Sequence, residues 1–171
     1  RYTYAKIHDY HHAFEGSIKA GSSLPIGAFR NNGGDDTYHL GFDGGYWIQN
    51  DLRLSLEFSH HFNFFDATNT SLGITQGIFT LDYSIITYKA LYTFVVGAGT
   101  FTSRMKLQSS AEPLITSTDP GLMSGIQIRF PEIAVMYDMA LYSRLYLIPD
   151  ERYHRLFLSF GISAIHRFGE P

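Results

Sequence analysis

Residues 52–62 read Leu-Arg-Leu-Ser-Leu-Glu-Phe-Ser-His-His-Phe, and apolar and polar residues alternate along most of this stretch. Successive side chains of an extended chain point to opposite sides, so Leu54, Leu56 and Phe58 share one face of a strand while Arg53 and Glu57 take the other. Seven further stretches repeat the pattern, at residues 14–24, 38–48, 76–85, 91–105, 122–130, 133–145 and 155–168. The sequence therefore predicts an all-β fold of eight strands.

The composition indicates one ordinary domain and removes several classes of function. The chain has 171 residues, a net charge of −3 and no cysteine. This charge gives no indication of a nucleic-acid partner, and the lack of cysteine excludes disulfides, thiolate catalysis and cysteine-based zinc sites. Residues 90–103 are the longest uncharged apolar passage, but a helix needs roughly 20 apolar residues to cross a bilayer.

Two architectures account for the alternation. A soluble sandwich or lipocalin-type barrel turns its apolar face inward, whereas a membrane barrel turns it toward lipid and keeps a polar interior. The polar faces carry both signs of charge and are interspersed with glycines, as a narrow interior crowded with long side chains requires. We predict a lumen ionic network formed by Glu15, Lys19, Asp43, Arg53, Glu57, Asp82, Arg129, Asp138, Arg144, Arg155 and Arg167.

The connections alternate in length. Those at 49–51, 88–90 and 131–132 are short, those at 25–37, 63–75 and 106–120 are long and polar, and the one at 149–153 is intermediate. Short turns at one rim and long loops at the other are typical of outer-membrane barrels. This pattern favours a closed eight-stranded antiparallel up-and-down transmembrane β-barrel. No open pore is expected, because eight strands enclose only their own side chains.

Three stretches carry a resemblance to a known family. Tyr46-Trp47-Ile48 with the strand after it, and Val96-Gly97-Ala98-Gly99-Thr100-Phe101, resemble strands of small outer-membrane barrels of the opacity-protein/porin family. Residues 162–168 resemble that family's C-terminal assembly signal, with Ile162, Ala164 and Phe168 as its alternating apolar and final aromatic residues. Phe168 is followed here by three further residues, whereas the family usually ends on the aromatic.

The resemblance implies an integral protein of the bacterial outer membrane. Residues 14–168 are expected to form the barrel, residues 1–13 an N-terminal periplasmic extension and residues 169–171 a short tail. The expected partners are outer-membrane lipids including lipopolysaccharide, the barrel-assembly machinery during insertion and, through the N-terminal segment or long loops, other envelope proteins. No cofactor and no nucleic acid are expected.

Histidine is the first candidate for metal binding. His11-His12 and His60-His61 are adjacent pairs, and neighbours on a strand point to opposite faces, so neither pair chelates one metal ion from a strand. His8 could join His11 or His12 only on a helical turn. The run Asn31-Asn-Gly-Gly-Asp-Asp has oxygen ligands but not the spacing of a known calcium loop, so a turn is the better interpretation.

The other candidates are a catalytic pair and aromatic girdles. His60 faces outward near Thr70 and Ser71, but no motif links them, and we predict no catalytic residues. Trp47 is expected to point inward and to plug the lumen. Tyrosines near strand ends are expected at the headgroup level; these are Tyr38, Tyr46, Tyr88, Tyr92, Tyr142 and Tyr146.

Three functions remain open from the sequence. The favoured one is a non-enzymatic barrel with a structural, surface-interaction or scaffold role. The alternatives are a lipid A-modifying enzyme of the same architecture and, less favoured, a soluble lipocalin-like carrier of an apolar ligand.

Overall fold

The computed structural model describes residues 10–31, 34–62, 70–87, 89–107, 113–134, 137–149 and 154–168. The elements are β1 (Phe14–Ile26), α1 (Ala28–Asn31), β2 (Thr37–Trp47), β3 (Leu52–His61), β4 (Thr70–Ile86), β5 (Leu91–Leu107), β6 (Pro113–Ala134), β7 (Tyr137–Ile148) and β8 (Arg155–Phe168). Consecutive strands pair antiparallel, and β8 pairs with β1 to close the barrel. The predicted eight-stranded closed barrel is confirmed.

Strand periodicity decides which side chains face the interior. On β3, Leu56 and Phe58 are 44% and 40% exposed, whereas Glu57 between them is 2% exposed. A soluble barrel has the opposite arrangement, because water rather than lipid surrounds it. The exposed apolar belt therefore excludes the soluble carrier. No helix within the described ranges has the length and apolarity needed to cross a membrane.

The two rims differ, and we name them by their connections. The turn end carries the connections at 48–51, 87–90 and 135–136, and the loop end carries those at 27–36, 62–69, 108–112 and 149–154. At the turn end, Thr87 N donates to the Ala90 carbonyl (3.0 Å) and Ala90 N donates to Thr87 Oγ1 (3.1 Å). The threonine side chain thus closes a turn that has no Gly, Pro or Asn.

Three predicted connections were wrong in their bounds. Residues 131–132 are not a turn, because β6 continues to Ala134 after a register shift beyond Phe130, and Ile133 therefore belongs to β6 rather than β7. Most of 106–120 is strand, and residues 70–75 begin β4. Polar cross-strand pairs such as Thr102–Thr118, whose hydroxyl oxygens are 3.1 Å apart, extend the ladder where the apolar pattern has ended.

Two glycines allow the seam between β1 and β8 to close tightly. Gly21 and Gly161 are opposite each other on these strands. A Cβ atom on Gly161 would lie 2.1 Å from the Ala20 carbonyl oxygen, and one on Gly21 would lie 2.0 Å from the Phe160 carbonyl oxygen. Only residues without a Cβ permit this approach of two backbones.

Candidate functional site

The charged side chains predicted for the lumen all lie on the inner face of the barrel. They are buried, except Asp138 and Arg167, which are partly exposed. Glycines make room for two of the arginines, since a Cβ on Gly45 would lie 2.5 Å from Arg53 Nε and one on Gly125 would lie 2.6 Å from Arg144 Cδ.

Glu15 is the centre of the ion pairs nearest the turn end. Its Oε1 lies 2.8 Å from Arg129 Nη1 and 3.5 Å from Arg167 Nε, and its Oε2 lies 3.7 Å from Arg53 Nε. Arg129 also donates from Nε to Asp138 Oδ2 (2.6 Å). Three cations therefore surround one carboxylate, and a second carboxylate, Asp138, offsets part of their charge.

Arg53 connects this group to a second one above it. Its Nη1 lies 2.8 Å from Asp82 Oδ2, and its Nη2 pairs with Asp43. Lys19 Nζ lies 2.9 Å from Asp43 Oδ2 and also pairs with Glu57.

Arg144 Nε, at 4.0 Å from Glu57 Oε2, ends this chain of contacts. The ten linked residues carry five carboxylates and five cations; they are Glu15, Asp43, Glu57, Asp82, Asp138, Lys19, Arg53, Arg129, Arg144 and Arg167. We call them the ionic chain. Its opposite charges are equal in number, as burial of so many ionised groups requires.

Among the described residues, Arg155 pairs outside the ionic chain. It lies toward the loop end, where its guanidinium pairs with Asp119 and donates to Ser103. Sequence reasoning missed Asp119 because residues 106–120 were interpreted as a loop. Asp119 and Arg129 are separated by an even number of positions on β6, so both side chains point into the lumen.

Aromatic side chains close the lumen at the turn end. Trp47 points inward as predicted, is 2% exposed and lies 4.8 Å from the Tyr10 ring, between ring centroids. Arg167 Cζ lies 4.3 Å from the centre of the Tyr10 ring. Asn50 Oδ1 accepts from the backbone N–H groups of Tyr10 (2.9 Å) and His11 (2.8 Å). Residues 10–13 are thus fastened to the barrel, while residues 1–9 of the predicted extension lie outside the described residues.

The electrostatics of Tyr10 follow from this position. Burial raises the pKa of its phenol, and the neighbouring Arg129 and Arg167 act in the opposite direction. The ring therefore stays neutral at physiological pH and presents its π face to the guanidinium.

A layer of serine, histidine and tyrosine side chains follows above the ionic chain, and the sequence pattern did not predict it. Ser23 Oγ lies 3.0 Å from His39 Nδ1, 2.8 Å from His61 Nδ1 and 2.7 Å from Ser159 Oγ. His39 Nε2 is hydrogen-bonded to the Tyr142 hydroxyl. These contacts bring β1, β2, β3, β7 and β8 together across the lumen.

Apart from the Arg155–Asp119 pair, the described interior toward the loop end is mostly apolar, whereas a lumen filled by charged side chains was expected. A buried cluster there contains Phe29, Leu72, Ile74, Ile78, Val95, Phe101, Met123, Tyr146, Ile148 and Phe157. Phe29, from α1, is fully buried and covers this end. The sequence contained the information needed to predict this cluster, because Ile74 and Ile78 on β4 and Phe101 on β5 occupy inward-facing positions of their strands.

The predicted tyrosine girdles are correct in part. Tyr38 and Tyr92 face outward and are 60% and 44% exposed, whereas Tyr142 and Tyr146 are 5% and 1% exposed inside the lumen. The even-numbered residues of β7 point inward. Tyr142 and Tyr146 therefore lie in the lumen, although their position near the strand ends had suggested the membrane interface. Tyr46 is partly exposed at the turn end, and Tyr88 lies outside the described residues.

The outer wall does not assemble the catalytic pair considered from the sequence. His60 Nδ1 is 2.8 Å from Thr75 Oγ1, the residue opposite it on β4, and not near enough to Thr70 or Ser71 for a hydrogen bond. The part of the chain that the structure describes contains no group of three or more His, Cys, Asp or Glu residues suited to a metal ion. His8 lies outside the described residues, as do residues 32–33 of the polar run.

The residues of the predicted assembly signal lie on β8, the strand that closes the barrel. Ile162 and Phe168 face outward and are 53% and 56% exposed, and Ala164 lies on the same face. Phe168 is opposite Phe14 of β1. Recognition of this strand by an assembly machinery stays a prediction.

Solved structures with this architecture are small outer-membrane β-barrels, and that is the class of fold to which the chain conforms. Neisserial surface protein A (NspA) matches with a TM-score of 0.68 and 15% identity over 90% of this chain and 95% of its own. Ail, the attachment invasion locus protein of Yersinia pestis, matches with a TM-score of 0.55 and 12% identity over 91% and 99%.

A third structure, the N-terminal β-barrel domain of Pseudomonas aeruginosa OprF, matches with a TM-score of 0.51 and 13% identity over 88% of this chain and 96% of its own. No protein-family model and no curated protein sequence matches the chain. At these identities the similarity establishes the fold and leaves the activity to be argued from the residues.

Proposed function

We propose that this chain is an integral protein of the bacterial outer membrane that acts as a closed, non-enzymatic scaffold. The observation that carries the proposal is the inversion of polarity, with an apolar belt around the outside and ion pairs within. Hydrocarbon solvates the belt, and closure of the sheet satisfies every backbone group in the span.

The filled interior supports a barrel that conducts no solutes. Tyr10 and Trp47 close the turn end, and Phe29 covers the loop end. The cavity beside Glu15 and Arg53 has room for roughly one water molecule. Function then falls to the rims and the outer wall, where lipids, other envelope proteins and, during insertion, the barrel-assembly machinery are the proposed partners.

The orientation in the membrane follows from the connections. Outer-membrane barrels have short periplasmic turns and longer external loops. The turn end, with Tyr10 and any residues before it, therefore faces the periplasm, and the loop end faces outward.

Two measurements on the refolded full chain test the proposal. Folded barrel should migrate differently from boiled protein in SDS gels, and folding should require detergent or vesicles. In planar bilayers the protein should give no conductance above the lipid baseline. Folding in buffer without detergent would contradict the membrane location, and steady single-channel steps would contradict the closed lumen.

The enzyme alternative has its own test. Mass spectrometry of lipid A from cells with and without the protein should give identical acyl and phosphate patterns. A chemical difference that is abolished by His60→Gln would replace the scaffold with a lipid-modifying enzyme.

A further inference from the structure

Formal charge is distributed unequally between the two faces of the strands. Where the structure describes strand side chains, nearly all charged ones point into the lumen. The exceptions are Arg104 and Lys106, both on β5 and both on its outward face toward the loop end. Arg104 is exposed and Lys106 is partly exposed. Among the described residues, the strand positions opposite the two cations carry no carboxylate, which is unusual for cations on a wall built to face lipid.

The outward residues of β5 change in character along the strand. From the turn end they are Tyr92, Phe94, Val96, Ala98, Thr100, Thr102, Arg104 and Lys106. At about 3.4 Å per residue Arg104 lies roughly 41 Å along the strand from Tyr92, and a tilt of about 40° reduces this to roughly 31 Å across the membrane. A hydrocarbon core is roughly 30 Å thick. Arg104 and Lys106 are therefore at the headgroup level of the leaflet on the loop side when Tyr92 is at the other interface.

The residues around the two cations leave them accessible. Arg104 is flanked by Gly73 on β4 and Thr116 on β6, and Lys106 is flanked by Ser71 on β4. The His60 ring leans over Gly73, since a Cβ there would lie 3.2 Å from His60 Cε1. Neither cation has an ion-pair partner among the described residues. The surface thus combines two uncommitted cations with hydroxyl donors, which is the chemistry that recognises a phosphate.

We infer that Arg104 and Lys106 bind the phosphate of a phosphorylated glycolipid in the external leaflet, with the lipid's acyl chains lying on the apolar wall below. The lipid is favoured over a soluble phosphate because the cations share the outward face of β5 with the apolar residues from Tyr92 to Ala98, and two threonines lie between the two groups. The two cations would attract the phosphate of the headgroup, and the apolar wall would bury the acyl chains. A single lipid molecule thus interacts with both the charged and the apolar part of the surface. This inference rests on the proposed outer-membrane location.

The test uses the full chain folded into phosphatidylcholine nanodiscs, with insertion checked first by its shift in gel mobility. Dissociation constants are then measured for lipid A carrying both phosphates and for the same lipid with its phosphates removed. Replacing both cations, in Arg104→Gln with Lys106→Gln, should weaken binding of the phosphorylated lipid by about ten- to thirtyfold. Arg30→Gln with Lys89→Gln, which removes the same charge from exposed sites elsewhere, should change it less than about twofold.

Each result decides between the alternatives. Equal binding of phosphorylated and dephosphorylated lipid overturns the inference, as does unchanged binding in the Arg104 and Lys106 variant. If soluble glucosamine phosphate binds as tightly as lipid A, the claim that the bound phosphate belongs to a lipid is overturned. Failure of the wild-type chain to insert into plain phosphatidylcholine contradicts the proposed location as well, whereas insertion without phosphate preference contradicts this inference alone.

Discussion

Lys19 provides the sharpest test of the ionic chain. It lies between two carboxylates, at 2.9 Å from Asp43 Oδ2 and paired with Glu57, and it is 4% exposed. In Lys19→Met the volume is largely retained and the charge is lost. Asp43 keeps Arg53, whereas the partners left to Glu57 among the described residues are Arg144, at 4.0 Å, and the Tyr146 hydroxyl, at 3.2 Å.

The expected cost follows from the charge left behind. Removing one partner of a buried ion pair costs about 3–5 kcal/mol, because the remaining ion has lost both water and its counter-ion. The free energy of unfolding should therefore fall by about 3–5 kcal/mol in Lys19→Met. It is measured by reversible urea unfolding in phospholipid vesicles, followed by the fluorescence of Trp47, which is the chain's single tryptophan.

Two further variants test whether the loss of stability comes from the buried, unpaired carboxylate or simply from the removal of a lysine. Lys89→Met removes an exposed lysine at the turn end and should stay within about 0.5 kcal/mol of the wild type. Lys19→Met combined with Glu57→Gln removes the stranded charge and should recover about 1–3 kcal/mol relative to Lys19→Met alone. A loss below about 1 kcal/mol in the single variant, or strict additivity in the double one, would refute the reasoning.

Three other predictions address closure of the barrel and its ends. Gly161→Val places a side chain against the β1 backbone and should abolish the heat-modifiable folded band, whereas Gly44→Val, which points into open space, should fold normally; equal folding of both would contradict the tight seam. Tyr10→Ala should lower the free energy of unfolding by about 3–5 kcal/mol and increase acrylamide quenching of Trp47, and unchanged quenching would contradict the plug. Phe168→Ala should slow folding in the presence of the assembly machinery while leaving folding into pure vesicles unchanged; slowing in both would indicate a structural role instead.

The features that the sequence predicted correctly rest on the two-residue period of the strand. Leu56 and Glu57 are neighbours in the sequence and point to opposite sides of the sheet. The alternating pattern therefore assigns each side chain to the outer wall or the lumen without knowledge of its contacts. The same rule placed Trp47 inside and gathered the members of the ionic chain, although it could not state which carboxylate pairs with which cation. Those partners depend on the stagger of strands around the barrel, as in the pairing of Glu15 on β1 with Arg129 on β6.

The wrong predictions concern stretches in which apolar and polar residues do not alternate, and strands of which only the outward face was considered. Residues 116–120 read Thr-Ser-Thr-Asp-Pro, a polar composition that indicates a loop, whereas cross-strand pairing with β5 makes them strand. Tyr142 and Tyr146 were assigned to the membrane interface by their place near strand ends, although their register with Arg144 puts them inside. The apolar cluster near the loop end was missed because Ile74 and Ile78 interrupt a face that was assumed to be polar throughout.

The partners within the ionic chain come from distant strands, and this constrains how a barrel in the proposed outer-membrane location would enter the bilayer. Glu15 on β1 meets cations of β3, β6 and β8, so an incomplete sheet holds charges whose counter-ions have not yet arrived. Hydrocarbon would not tolerate them in that condition. For the proposed membrane barrel we therefore expect that the strands do not cross one at a time, and that passage into the bilayer coincides with the joining of the first strand to the last.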